Sequence, residues 1–142
     1  MNDTFNLQRF VNAQNTVYTQ VLTELKKGEK QTHWIWFIFP QLKGLGKSQL
    51  SDFYGISSID EARAYLSHIV LGSRYNECLK ILIETNHSNP VKIFGHTDSM
   101  KLQSSLTLFS HADEQNIFIK QALDKFYSGI YDYSTEKILG LL

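Results

Sequence analysis

Apolar side chains in this sequence recur three or four residues apart, the spacing of one face of an α-helix. The first series is Tyr18, Val21, Leu22 and Leu25. Three later series have the same spacing: Leu71, Tyr75, Cys78, Leu79, Leu82 and Ile83; Leu102, Leu106 and Phe109; and Ile119, Leu123, Phe126 and Tyr127. Because each apolar face needs a neighbouring helix to cover it, we predict an all-α fold: one compact helical bundle of about eight helices over residues 1–142.

Capping residues mark where several of these helices begin and end. The segment Ser58–Glu61, with sequence SIDE, predicts a capping box at a helix start. Asn89-Pro90 predicts an N-cap followed by proline in the first turn, and Asn15 predicts another N-cap. Gly28 supplies a left-handed stop to the helix before it. The periodicity also predicts a helix from about Asp98 to Ser110.

The segment His33–Pro40, with sequence HWIWFIFP, departs from this pattern because it is rich in aromatic and β-branched residues. Such residues favour a buried strand, but no other segment strongly predicts a strand that would pair with it. We therefore predict a short helix. On a helix Trp34 and Phe37 share one side while Trp36 and Phe39 point elsewhere, which indicates that one pair lines a cleft.

Charge and hydropathy exclude two kinds of partner. Fourteen basic residues balance fourteen acidic ones, whereas a nucleic-acid-binding protein usually has a basic excess, so we predict no nucleic-acid partner. No apolar run approaches the roughly 20 residues that span a bilayer, so we predict no membrane segment. The opening MNDTFNLQRF lacks the features of a secretory signal, which predicts a cytoplasmic location. The sequence does not define an oligomeric state.

Metal and cofactor sites are not predicted. The five histidines do not pair at helical spacing; they are His33, His68, His87, His96 and His111. Cys78 is the single cysteine and lies in an apolar helical series, which indicates a buried, inert thiol.

The segment Lys43–Ser48, with sequence KGLGKS, invites comparison with a phosphate-binding P-loop. A P-loop requires a glycine five residues before Gly46, where this chain has Gln41, and it requires a preceding strand. We therefore predict a tight loop in which Gly44 and Gly46 adopt positive φ. Backbone N–H groups of such a loop can hold an anion.

The block His33–Ser48, with sequence HWIWFIFPQLKGLGKS, resembles the signature of the bacterial Domain of Unknown Function 1810 family. Further matching segments are Phe10–Gln14, Tyr54–Ile56, Glu61–Leu66, Ile93–Asp98 and Lys101–Phe109. The resemblance covers nearly the whole chain and implies an all-helical fold, while the family name assigns no activity. Members are sometimes labelled calpastatin-like, and nothing in this sequence supports calpain inhibition.

Lys101 is placed by the pattern in the first turn of its helix, just after Thr97 or Asp98. A cation there opposes the helix dipole, and beside exposed helix-start N–H groups it would form an anion pocket. Ser105 lies one turn further along the same face, and Ser104 is adjacent. In the alternative interpretation Lys101 is solvated or pairs with Asp98, and both serines pack against another helix.

These features together predict a small-molecule site between the segment His33–Pro40, which we call the aromatic block, and the helix that carries Lys101. The tryptophans would stack on a planar group, and His33 and Gln41 would fix the orientation of the ligand, although His33 is equally well explained as a cap or core residue. The predicted ligand-binding residues are His33, Trp34, Trp36, Gln41, Ser48, Lys101, Ser104 and Ser105.

A nucleotide- or ADP-ribose-like compound combines a planar group with anionic oxygens, so it is the predicted ligand class. If the protein is an enzyme, hydrolysis of such a compound is the expected reaction, and no catalytic residue is assigned. The alternative is a helical protein–protein interaction module without catalytic activity, in which the same aromatic residues anchor a partner.

Overall fold

Nine helices and no strand occur in a computed structural model that describes residues 3–142. They are α1 Gln8–Asn15, α2 Tyr18–Lys27, α3 Ile35–Ile38, α4 Gln49–Phe53, α5 Ile59–Ser67, α6 Ile69–Glu84, α7 Pro90–Ala112, α8 Ile117–Tyr127 and α9 Tyr133–Ile138. The all-α prediction and the short helix at the aromatic block are confirmed. In the described range, no helix is both long and apolar enough to cross a membrane. The helix that periodicity missed is α4, which is only five residues long.

Helix α7 lies at the centre of the bundle, where it packs against α5, α8 and α9. The long helix α6 packs on α2, α5 and α8. Between these elements Phe109 contacts two buried tyrosines, with ring centroids 4.7 Å from Tyr75 and 5.2 Å from Tyr65. Aromatic rings at such separations contribute packing energy beyond the area that they bury.

Helix α7 is kinked at Gly95, whose φ of 79° and ψ of 167° are not helical. Only glycine adopts this backbone conformation without strain, so it allows the chain to change direction inside one long element. The helical backbone resumes directly after Gly95, and the predicted start near Asp98 is therefore too late. Lys101 lies in the second turn of this part of α7, and the prediction that it occupies the first turn is wrong.

The predicted caps are largely confirmed. Ser58 accepts a hydrogen bond from the Glu61 N–H at 3.1 Å, and Asn89 accepts one from the Val91 N–H at 3.0 Å. Gly28 ends α2 in the left-handed conformation with a φ of 79°. The N-cap predicted at Asn15 is wrong, because α1 continues through this residue.

The glycine loop, residues 43–48, connects the aromatic block to α4. Gly44 has a φ of 99°, as predicted, but Gly46 does not have a positive φ. A Cβ atom on Gly46 would lie 2.3 Å from the Ser51 Oγ, so glycine is required there by a close approach. The loop is anchored where the Lys43 N–H donates to the Ile56 carbonyl at 2.8 Å.

Cys78 is buried in α6, in agreement with the prediction of a buried thiol. Burial raises the pKa of this thiol to about 12. Because the thiolate is the reactive form of cysteine, Cys78 is chemically inert near neutral pH.

The carboxylate of Glu24 ties α2 to the chain just before α3, although the residue is only 1% exposed. It accepts hydrogen bonds from the Gln31 N–H at 2.6 Å, the Thr32 N–H at 3.0 Å and the Trp34 Nε1 at 3.0 Å. The Thr32 hydroxyl and the Gln20 amide also donate to it. Burial alone would raise the pKa of this carboxyl, but the hydrogen bonds outweigh burial and lower the pKa to about 2.

We expect Glu24→Gln to lower the free energy of unfolding by about 3 kcal/mol, because the amide turns a donor toward the N–H groups that the carboxylate now accepts. Urea-induced unfolding at neutral pH measures this change. Glu29→Gln is the matched control, since Glu29 is exposed just beyond the end of α2. Equal losses of stability in the two variants would contradict the structural role of Glu24.

The stability that Glu24 contributes should also depend on pH. Its pKa falls from the ordinary 4.5 to about 2 on folding, so the contribution is complete above pH 4.5 and is lost as the pH falls toward 2. We expect the difference in unfolding free energy between the wild type and Glu24→Gln to shrink by about 3 kcal/mol across this interval. Urea unfolding at a series of pH values tests this, and a constant difference would contradict it.

Candidate functional site

The ammonium group of Lys101 lies over the ring of Trp36, with its Nζ 4.8 Å from the ring centroid. The side chain is 21% exposed, and its Nζ lies 3.8 Å from a carboxylate oxygen of Asp98. A cation over an indole face is attracted by the ring quadrupole. Trp36, on α3, therefore fixes the direction of the Lys101 side chain, which extends from α7.

A cleft of about 250 Å³ opens beside this ammonium; we call it the Lys101 cleft. The glycine loop forms one wall, the part of α7 after Gly95 forms the floor, and the start of α9 forms the other wall. The lining residues are Gln41, Leu45, Gly46, Thr97, Met100, Lys101, Ser104, Asp132 and Ser134. The cleft thus combines a cation, polar groups, a carboxylate and two apolar side chains.

The polar groups of the cleft differ in how many of their donors and acceptors already have a hydrogen-bond partner. Gln41 is only 9% exposed, and within residues 3–142 its side-chain amide has no hydrogen-bond partner. Ser104 donates its hydroxyl to the Met100 carbonyl at 3.1 Å, which leaves its oxygen free to accept. One carboxylate oxygen of Asp132 caps α9 by accepting from the Thr135 N–H at 3.0 Å. The Gln41 side chain is therefore nearly buried while the hydrogen-bonding capacity of its amide stays unused within the described residues.

Asp98 is bound much more tightly by Lys30 than by Lys101. The Lys30 Nζ lies 2.8 Å from the second carboxylate oxygen of Asp98, and the Lys30 side chain is 5% exposed. Lys30 also donates to the Thr32 carbonyl at 2.6 Å. Lys30 consequently neutralises most of the Asp98 charge, and the ammonium of Lys101 keeps the capacity to bind an anion.

Three of the predicted site residues line the cleft, namely Gln41, Lys101 and Ser104, and Trp36 adjoins it through Lys101. Trp34 is only 1% exposed and donates to Glu24, so it has no free face for a ligand. Ser105 is fully buried, with its hydroxyl 2.9 Å from that of Tyr75. We leave Trp34 and Ser105 out of the candidate site because both belong to the core.

The other two predicted residues lie outside the cleft. His33 is exposed and does not line it. Ser48 caps α4 by accepting from the Ser51 N–H at 3.0 Å, and it faces a separate, open depression on the outer side of the glycine loop. Sequence reasoning missed Asp132 and Ser134, because only the packing of α9 against α7 brings them to Lys101. No local pattern marks them.

A second cleft, of about 370 Å³, lies between the C-terminal end of α7 and α8; we call it the His111 groove. In it the His111 Nε2 lies 3.1 Å from a Glu136 carboxylate oxygen, and the Ser110 and Tyr131 hydroxyls are 3.2 Å apart. Within the described residues, no group of three or more His, Cys, Asp or Glu side chains is placed to hold a metal ion. None of the residues predicted from sequence lines the His111 groove.

Comparison with known proteins places this chain in a family. A crystal structure of the conserved hypothetical protein Rv1873 from Mycobacterium tuberculosis is similar, with a TM-score of 0.95 and 46% sequence identity over 99% of this chain and 100% of that one. No curated protein matches the chain. A family model described as "Protein of unknown function (DUF1810)" matches residues 4–139. The chain therefore belongs to the DUF1810 family.

Proposed function

We propose that the Lys101 cleft binds a small anionic molecule of the nucleotide type. The observation that carries this proposal is that the Lys101 ammonium and the Gln41 amide line one concave space, and that the nearly buried Gln41 amide has no hydrogen-bond partner within residues 3–142. Sites for small molecules combine such a concavity with a few convergent polar groups.

The donors of the cleft favour a negatively charged group. Lys101 offers an ammonium whose contact with Asp98 is long, at 3.8 Å, and Gln41 offers amide hydrogens. Hydrogen bonds from charged donors to phosphate or carboxylate oxygens are among the stronger ones in proteins. A phosphate-like group beside Lys101 would replace a weak ion pair with a direct one.

The carboxylate of Asp132 narrows the class of ligand. It would repel an anion that filled the whole cleft, but it accepts hydrogen bonds from hydroxyl groups, as carboxylates do from ribose in dinucleotide sites. Leu45 and Met100 supply apolar contacts for a planar group. A nucleoside phosphate carries all three parts: an anion, sugar hydroxyls and a flat ring.

The size of the cleft sets how much of such a ligand is enclosed. Its volume, about 250 Å³, is below the roughly 300–1,000 Å³ of sites that enclose drug-sized ligands. We expect one nucleoside phosphate unit to fit, with any longer ADP-ribose-like compound extending outside. The stacking role first given to the tryptophans passes to Leu45 and Met100, since Trp34 is in the core and Lys101 covers a face of Trp36.

The proposal is one of binding, and it assigns no reaction. Hydrolysis of the ligand and a cytoplasmic location both stay predictions. The alternative of an interaction module required exposed aromatic side chains in the segment His33–Pro40 as partner anchors. Trp34 and Phe39 are buried, and Trp36 and Phe37 are half-buried, so an exposed aromatic patch has no support in the structure.

Lys101 should be dispensable for folding, in contrast to Lys30. We expect Lys30→Met to lower the free energy of unfolding by about 2 kcal/mol, because it leaves Asp98 without its close partner. Lys101→Met should cost less than about 1 kcal/mol, since the lost ion pair is long and the methionine still packs on Trp36. Urea unfolding of both variants measures the contrast. A loss in Lys101→Met as large as that in Lys30→Met would make Lys101 a structural residue.

The ligand class can be tested by thermal shift and calorimetry with AMP, ADP, ADP-ribose, adenosine and inorganic phosphate. We expect at least one phosphate-bearing nucleotide to stabilise the wild type, by about 2.7 kcal/mol at 100 times its Kd. Lys101→Met should bind at least tenfold more weakly, because a charge-assisted hydrogen bond is lost.

The matched control is Lys92→Met, which removes an exposed lysine from the first part of the same helix and should leave binding unchanged. Binding that persists undiminished in Lys101→Met, or a wild type that responds to none of these compounds, would overturn the proposal.

A further inference from the structure

Another concave space adjoins the Lys101 cleft on the outer side of the glycine loop; we call it the outer depression. It lies over α4 and is the open space that Ser48 faces. Its volume is about 670 Å³, within the roughly 300–1,000 Å³ of sites for drug-sized ligands. Gly46 lines both this depression and the Lys101 cleft. The two spaces therefore meet at one residue of the glycine loop.

Only backbone is present at this meeting point. A Cβ atom on Gly46 would lie 2.3 Å from the Ser51 Oγ, so the position tolerates no side chain. The N–H groups of Gly46 and Lys47 donate to no backbone carbonyl within residues 3–142. Available N–H groups in a loop favour a negatively charged group beside them. An extended ligand with an anionic centre can therefore cross the loop here.

The outer depression carries the same kinds of group as the Lys101 cleft. Lys47 is exposed and supplies an ammonium, and Asp52 supplies a carboxylate. Leu50 and Phe53 supply apolar surface, with exposed fractions of 45% and 55%. Each space thus offers a cation for a phosphate, a carboxylate for sugar hydroxyls and apolar side chains for a flat ring.

The ring of Phe53 is held in position although it is exposed. It packs nearly perpendicular to the ring of Tyr54, with centroids 4.8 Å apart and an interplanar angle of 84°. The Phe53 carbonyl accepts a hydrogen bond from the Arg9 Nε at 2.9 Å. A ring that is already fixed loses little conformational freedom when it stacks on a planar group. Phe53 is therefore suited to contact a nucleotide base.

We propose that one dinucleotide occupies both spaces, with a nucleoside in each and a pyrophosphate across Gly46. Lys101 and Lys47 bind the two phosphates from opposite sides of the glycine loop. Asp132 accepts hydrogen bonds from the hydroxyls of one ribose, and Asp52 accepts them from the other. This inference rests on the proposed function, because the first nucleoside lies in the Lys101 cleft. It narrows the ligand class from nucleotides to pyrophosphate-linked dinucleotides.

Calorimetry with AMP, ADP-ribose and diadenosine diphosphate tests for the second nucleoside. ADP-ribose has the same pyrophosphate and both riboses, and it lacks only the second adenine. Because that adenine stacks on Phe53, we expect diadenosine diphosphate to bind about tenfold more tightly than ADP-ribose. Equal affinities for these two compounds would overturn the inference and leave the proposed function standing. Binding of none of the three compounds would overturn both.

Two variants locate the extra affinity in the outer depression. Phe53→Ser should lower the affinity for diadenosine diphosphate to that for ADP-ribose, because it removes the stacking surface. Lys47→Met should weaken both pyrophosphate compounds by about tenfold, and AMP much less, because a charge-assisted hydrogen bond to the second phosphate is lost.

The matched control for Phe53→Ser is Ile69→Ser, which removes an exposed apolar side chain at the start of α6 and should change no affinity. A dinucleotide advantage that persists in Phe53→Ser would overturn the inference. Wild-type affinity of Lys47→Met for both pyrophosphate compounds would do the same, and because Lys47 is exposed this variant should fold normally.

Discussion

The buried carboxylate of Glu24 holds the chain where it passes from α2 to α3, and the geometry of the site depends on that attachment. It binds the N–H groups of Gln31 and Thr32 and the indole of Trp34. This attachment places Trp34 in the core. Trp36, two residues later on α3, packs against the surface of α7. Lys101 then rests on Trp36. The buried carboxylate of Glu24 on α2 thus determines, through the positions of the two tryptophans, where the Lys101 ammonium on α7 lies.

The fold was predictable because helical periodicity and capping are local properties of the sequence. Residue types and their neighbours indicated the helix caps correctly at Ser58, Asn89 and Gly28. The site was predictable in part: Gln41 and Lys101 do face one cleft. The reason first given for Lys101, its opposition to the helix dipole, fails because Gly95 restarts the helix earlier than periodicity indicates.

Sequence reasoning could not show which side chains of a helix face the core. It also could not identify the wall of the Lys101 cleft that comes from residues distant in sequence. Spacing shows that the aromatic side chains of the block cannot all point the same way, but not that Trp34 enters the core. Ser105 carries the same hydroxyl as Ser104 and is turned inward to Tyr75. Asp132 reaches the cleft only through the packing of α9 on α7, which depends on contacts remote in sequence.

Residues 128–132, which connect α8 to α9, separate the Lys101 cleft from the His111 groove. Tyr131 faces the His111 groove, and the next residue, Asp132, faces the Lys101 cleft. Just beyond it α9 is held to α7 through His111 and Glu136. Because close-packed protein does not compress, displacing this partition toward one side must enlarge the other. The Lys101 cleft and the His111 groove therefore share this segment as a common wall, and a substitution at Tyr131 or Asp132 alters a wall that bounds both.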